Sequence, residues 1–204
     1  DVEQHGDAED VPAVVDAVVA NRGVGYFNTD SPECEFLRRF AAGNLAVVQQ
    51  IDDARPAFVN GAWQFLLATQ LASGVRIEQL ADLLQRRDHL HQDHFQAAMA
   101  RLHRDIRAEH APLLAKALDE LAKAPGRIDF GVTHSTLHLL AATLDPSALP
   151  AVKRLLARES LQAELATKAA ETALAVAGPQ RREVVVDLLK SSQAAAVAVA
   201  LSVP

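Results

Sequence analysis

Thr133-His-Ser-Thr-Leu-His-Leu-Leu-Ala-Ala-Thr-Leu-Asp-Pro146 runs without a gap alongside Ala166-Thr-Lys-Ala-Ala-Glu-Thr-Ala-Leu-Ala-Val-Ala-Gly-Pro179, at an offset of 33 residues. The register carries on past the proline, where Val152, Leu155 and Leu156 fall on Val185, Leu188 and Leu189. Self-similarity at a fixed period of this length marks a repeat architecture. Apolar residues three and four apart make each half of the unit a helix, and the shared Gly/Pro break stops one helix and starts the next. A hairpin of two such helices has two narrow apolar stripes and cannot bury both by itself, so stacking on neighbours must supply the core. At about 25 cal/mol per Å² of apolar surface removed from water, that contact provides most of the stability.

The pattern extends upstream. Leu80, Leu83 and Leu84 match Val152, Leu155 and Leu156 at an offset of 72. Between these copies, Phe95 to Lys123 holds two helical runs, with Leu114 and Leu118 matching Val152 and Leu156 at an offset of 38. Earlier still the units become irregular. Val11 to Val19 reads as a helix with Asp10 as its N-cap and Pro12 in its first turn, ended by Gly23-Val-Gly25. Tyr26 to Pro32 reads as a loop, and Ser31-Pro32 opens the next helix. Glu33 to Ala42 and Leu45 to Ile51 read as short helices separated by Gly43-Asn44, and Pro56 to Leu71 as a long one closed by Ser73-Gly74.

Composition agrees with an all-α class. Of 204 residues, 50% are hydrophobic and only 4% aromatic, with Ala, Leu and Val dominant, which suits helices more than a β-sandwich. One cysteine excludes a disulfide framework and a multi-thiolate metal site, and it fits a reducing compartment. No run approaches the roughly 20 apolar residues that cross a bilayer. The net charge is −6, concentrated in residues 1–35, where nine acids face the single base Arg22. A basic groove for a phosphate backbone is therefore not present in the composition, and nucleic-acid binding is disfavoured. The chain opens at Asp1 rather than Met, which implies an upstream segment that was removed or that belongs to a larger protein.

At these repeats the sequence resembles the HEAT-repeat family, particularly its short bacterial HEAT-like form. Leu165-Ala-Thr-Lys-Ala-Ala-Glu-Thr-Ala-Leu-Ala-Val-Ala-Gly178 is similar to the family's second helix, and Leu149-Pro-Ala-Val-Lys-Arg-Leu-Leu156 to its first. Where that second helix often carries an arginine near its start, this chain has His134 and Thr167. The resemblance implies a right-handed α-solenoid of about five helical hairpins, with the second helices lining a concave face. It places an acidic segment and irregular helical cap at residues 1–59 and a single continuous array at 60–204. Family members are mostly protein-binding scaffolds, and a fold of this kind leaves function to be argued from its sites.

Eight histidines are the candidate chemistry. His134 and His138 lie four apart and share a helix face, and the repeat alignment sets Glu171 of the next second helix opposite His138. Two imidazoles and a carboxylate would suit a divalent Zn or Fe ion with an open position. Arg86-Arg-Asp-His-Leu-His-Gln-Asp-His94 offers His89, His91 and His94 as a second set, or else a solvated turn between helices. Tyr26, Phe27, Phe36, Phe40, Phe58, Trp63 and Phe65 crowd the first third of the chain. They read as packing under a cap, or, for Trp63, as a partner anchor. Gly23-Val-Gly25 lacks the strand a dinucleotide loop needs, Cys34 sits between two acids that oppose thiolate formation, and Ser135 lacks a hydrolase elbow. The expectation is a cytoplasmic, non-enzymatic protein-interaction scaffold or adaptor without cofactor, binding through His134, His138, Glu171 and Trp63. The alternatives are an immunity-type inhibitor of a bacterial effector, which would use the acidic N-terminal region, and a metal-dependent enzyme built on the His/His/carboxylate set.

Overall fold

Proline and short polar caps decide where these helices begin. In a computed structural model, which describes residues 7–20, 31–54 and 62–203, the regular elements are helices and no strand occurs among the described residues. Ser31 caps the helix that opens with Pro32, its hydroxyl accepting from the Cys34 amide at 3.3 Å. Asp129 does the same for Val132 at 2.8 Å. Among the described residues five helices are entered through a 3-10 turn, at Ala8–Asp10, Ile77–Gln79, Ala108–His110, Pro146–Ala148 and Gly178–Gln180. Pro146 opens its turn and Pro179 is the second residue of its own. At the first turn the cap is Asp7 rather than the expected Asp10. Asp7 accepts from the Glu9 amide, and Asp10 reaches back to the Asp7 amide, a reciprocal pair that satisfies two otherwise orphaned donors.

Contacts divide the chain into two compact units, with the boundary after Leu102. The first holds α1 (Val11–Ala20), α2 (Pro32–Phe40), α3 (Leu45–Ala54), α4 (Ala62–Ala72), α5 (Leu80–Gln85) and α6 (Gln92–Leu102). Here α1 packs on α2 and α3, α2 on α4, α3 on α4, and α4 on α6. The α4 start at Ala62 lies inside the helix expected from Pro56, and residues 56–61 fall outside the described residues. So do Gly23-Val-Gly25, Tyr26, Phe27 and Phe58.

The second unit holds α7 (Ala111–Lys123), α8 (Phe130–Thr143), α9 (Leu149–Leu156), α10 (Ala163–Val176), α11 (Arg181–Leu189) and α12 (Ala194–Leu201). Successive helices pair as hairpins, and α8, α10 and α12 also lie in a row, α10 against α8 and α12 against α10. The α8–α10 contact is the most extensive among the described residues. Both helices carry small buried side chains, Thr133 and Thr136 on α8, and Ala166, Ala169, Ala170, Thr172 and Ala173 on α10. Thr172 donates to the Leu137 carbonyl across the helix pair at 3.3 Å.

Several polar side-chain links join helices or turns some 34 to 36 residues apart. Gln50 bonds Asp16, Gln79 bonds the Gly43 carbonyl, Arg154 bonds Asp119, and Gln193 bonds the Arg158 carbonyl, at separations of 34, 36, 35 and 35 residues. The Arg158 guanidinium donates to the carbonyls of Ala122, in the last turn of α7, and of Ala124 and Gly126 just beyond it, satisfying groups that a helix C-terminus leaves open. No helix among the described residues is long and apolar enough to cross a membrane.

Leu189 departs from expectation. Its repeat equivalent Leu156 is buried, whereas Leu189 is 44% exposed, because no described element covers that side of α11. The corners between hairpins are tighter. Gly43 adopts φ +75°, its amide donates to the Leu71 carbonyl at 2.7 Å, and a Cβ there would lie 2.5 Å from the Gly74 oxygen. Left-handed backbone costs an L-residue about 1–2 kcal/mol before any clash. Gly43→Ala is therefore expected to lower unfolding free energy by more than about 2 kcal/mol in urea denaturation. A loss below about 0.5 kcal/mol would show that the corner gives way freely.

Candidate functional site

His134 and His138 stand one turn apart on α8, as their spacing requires, with α10 running alongside. His138 does not turn toward Glu171. Its ring stacks on His103, with centroids 4.3 Å apart and planes inclined by 13°. His134 lies over Phe130, at 5.7 Å and 20°. Glu171 is held instead by Lys168, one turn earlier on α10, at 3.7 Å.

Partial burial holds the His138 imidazole below its ordinary protonation range, and the positive charges of His103, Lys168 and His134 push it the same way. His138 is thus neutral at pH 7. Stacked imidazoles carry their lone pairs in parallel planes, so His103 and His138 do not converge on one ion as placed. Among the described residues no group of three or more His, Cys, Asp or Glu side chains comes together to hold a metal. What the α8–α10 surface does offer is a flat heteroaromatic pair, a Phe–His stack and a Lys–Glu pair, all on helices except His103, which reaches in from the turn after α6.

Trp63 belongs to the other unit, half-buried at the start of α4. Cys34 is buried on α2, and Ser135 is half-buried on α8.

The polar run at 86–94 is more ordered than a solvated turn. His89 is exposed, but His94 is fully buried on α6. Its Nδ1 lies 2.8 Å and 3.0 Å from the two Asp52 carboxylate oxygens, and its Nε2 lies 3.1 Å from the Phe65 carbonyl oxygen. Both partners are acceptors, so both are satisfied only when each ring nitrogen carries hydrogen. Asp52 also accepts from the His91 amide at 2.8 Å, placing a carboxylate at the start of α6. The rings of Phe65, His91 and His94 close the cluster at 4.7 to 5.3 Å. Both ring nitrogens of His94 are thus engaged within the protein. Asp52 went unnoticed in the sequence because it stands 42 residues from the ring it holds.

Compared with known proteins, the chain matches no family model, no curated protein and no solved structure.

Two outcomes follow from this geometry. Removing one side of a buried hydrogen-bonded pair leaves the other's polar atoms unsatisfied, at about 1–3 kcal/mol. Asp52→Ala and His94→Ala should each approach that loss in chemical denaturation, and the double variant should lose less than their sum. Additive losses would mean the two side chains do not interact. For His138 the depressed folded-state protonation means the unfolded chain takes up its proton first as pH falls. The residue's contribution to stability is therefore full above pH 6.5 and disappears below it. NMR titration should place the His138 midpoint below 6.5, and His138→Phe should flatten the fall in Tm between neutral and mildly acidic pH. A midpoint at or above 6.5 contradicts the stacked, partly covered ring.

Proposed function

We propose that this chain is a non-enzymatic interaction module of the HEAT-like α-solenoid kind, binding a protein partner on the face presented by its second helices. The alternating contacts of first and second helices within each unit, and the links 35 residues apart, support the repeat reading. The observation that carries the functional reading is the α8–α10 surface. His103 stacked on His138, Phe130 on His134, and Lys168 paired with Glu171 put aromatic, hydrogen-bonding and charged groups side by side. All but His103 sit on rigid helices, so little conformational freedom is lost when a partner docks.

The metal-enzyme alternative needs His134, His138 and Glu171 to converge. The stack and the Lys168 pair hold two of these three away from such a geometry. An immunity-type inhibitor would draw on the acidic start of the chain, of which residues 1–6 and 21–30 lie outside the described residues.

Site-specific photo-cross-linking separates these readings. A benzophenone side chain at position 134 or 138 of the full chain, expressed in its native host, should capture a defined protein. The same group at Glu183, exposed on α11, should not. His134→Ala combined with Lys168→Ala should abolish capture from an untouched neighbouring position. Adducts at 183 alone, or at none of these positions, would overturn the assignment of this face.

A further inference from the structure

The first helices of the second unit do not pack evenly. α9 lies directly against α7, clamped by Arg154 on Asp119, whereas α11 makes its contacts with α10 and α12 and stands off from α9. The space between α9, α10 and α11 is a cleft of about 250 Å³. Leu156, Ala173, Val184 and Leu188 form its apolar floor, and all four are buried.

The repeat register explains why the cleft exists. Ala173 stands 33 residues after Leu140, so the position that a fully buried leucine fills in one hairpin is cut back to a methyl group in the next. A dry cavity of roughly 150 Å³ is enough to admit benzene, so this one takes a branched or aromatic side chain with room to spare. Its rim is charged. Lys153 Nζ and Asp187 Oδ2 meet 2.6 Å apart across the mouth, both about half exposed. An exposed pair of this kind contributes little and exchanges partners readily. It offers a cation and an anion together, which complements a zwitterion and penalises a simple anion, whose charge would face Asp187.

We propose that this cleft binds a free α-amino acid with a compact apolar side chain. The ligand carboxylate pairs with Lys153, its ammonium with Asp187, and its side chain lies over Ala173. The site is separate from the α8–α10 face and does not depend on the protein-binding reading.

The test uses the full chain and two-dimensional NMR titration with L-leucine and L-phenylalanine. At least one should bind saturably at millimolar concentration, with the largest shifts around Ala173, Val184 and Leu188. The analogues 4-methylpentanoate and 3-methylbutylamine, each lacking one charge, should bind about tenfold more weakly or worse. Ala173→Leu restores the residue found one repeat earlier and should remove binding with the helical spectrum intact. If that variant fails to fold, Ala157→Phe closes the mouth from an exposed position to the same effect. Lys153→Met should weaken binding by about tenfold. No saturable shift, equal binding of 4-methylpentanoate, or binding that survives occlusion of the cleft would overturn the proposal.

Discussion

The second unit depends on the contact between α8 and α10, two helices rich in small buried side chains. Small side chains reduce the area each residue can bury. They compensate by letting two helices approach until their backbones take part, as when Thr172 reaches the Leu137 carbonyl. Burial of a helix face in this unit is completed by the helices beside it. The same constraint explains α11, where Val186 and Leu189 are exposed because no described element lies over them. Val184 and Leu188, turned toward the preceding hairpin, are buried.

Polar links then fix the register that packing alone leaves loose. A helix end carries unsatisfied carbonyls, and the α7 end meets them with a cation from the next hairpin, Arg158. Arg86, at the end of α5, bonds Gln49 of the preceding hairpin in a related way. These two arginines therefore sit just past the ends of α5 and α9.

The helices were legible because local forces make them. Prolines at 32, 146 and 179, capping residues at 31 and 129, and leucines three and four apart all act within a turn or two of themselves. The neighbouring rows α8 and α10 were legible from the 33-residue register. The detail of the site was not, because it turns on which of several reachable partners a side chain takes. Glu171 is on the right helix for His138, yet Lys168 is nearer to it, and His103 reaches His138 from a segment outside either repeat copy. His94 looked like part of a solvated turn because nothing local announces Asp52, which approaches from an earlier hairpin. A pattern match cannot report cover either, which is why Leu189 aligned with Leu156 but does not share its burial.

The corner at Gly43 and Gly74 is different in kind, since main chain there rests against main chain. A crowded side chain elsewhere in the protein has a natural remedy, a smaller neighbour that yields the missing volume. Gly43 has no such neighbour to shrink, and at Gly74 the one side-chain atom in the way is the small Ala42 methyl, beside backbone atoms that cannot yield. Compensation for a change at either must come from a shift of a whole hairpin, so second-site suppressors of damage here should map to helix-packing positions far along the chain and not to the corner itself.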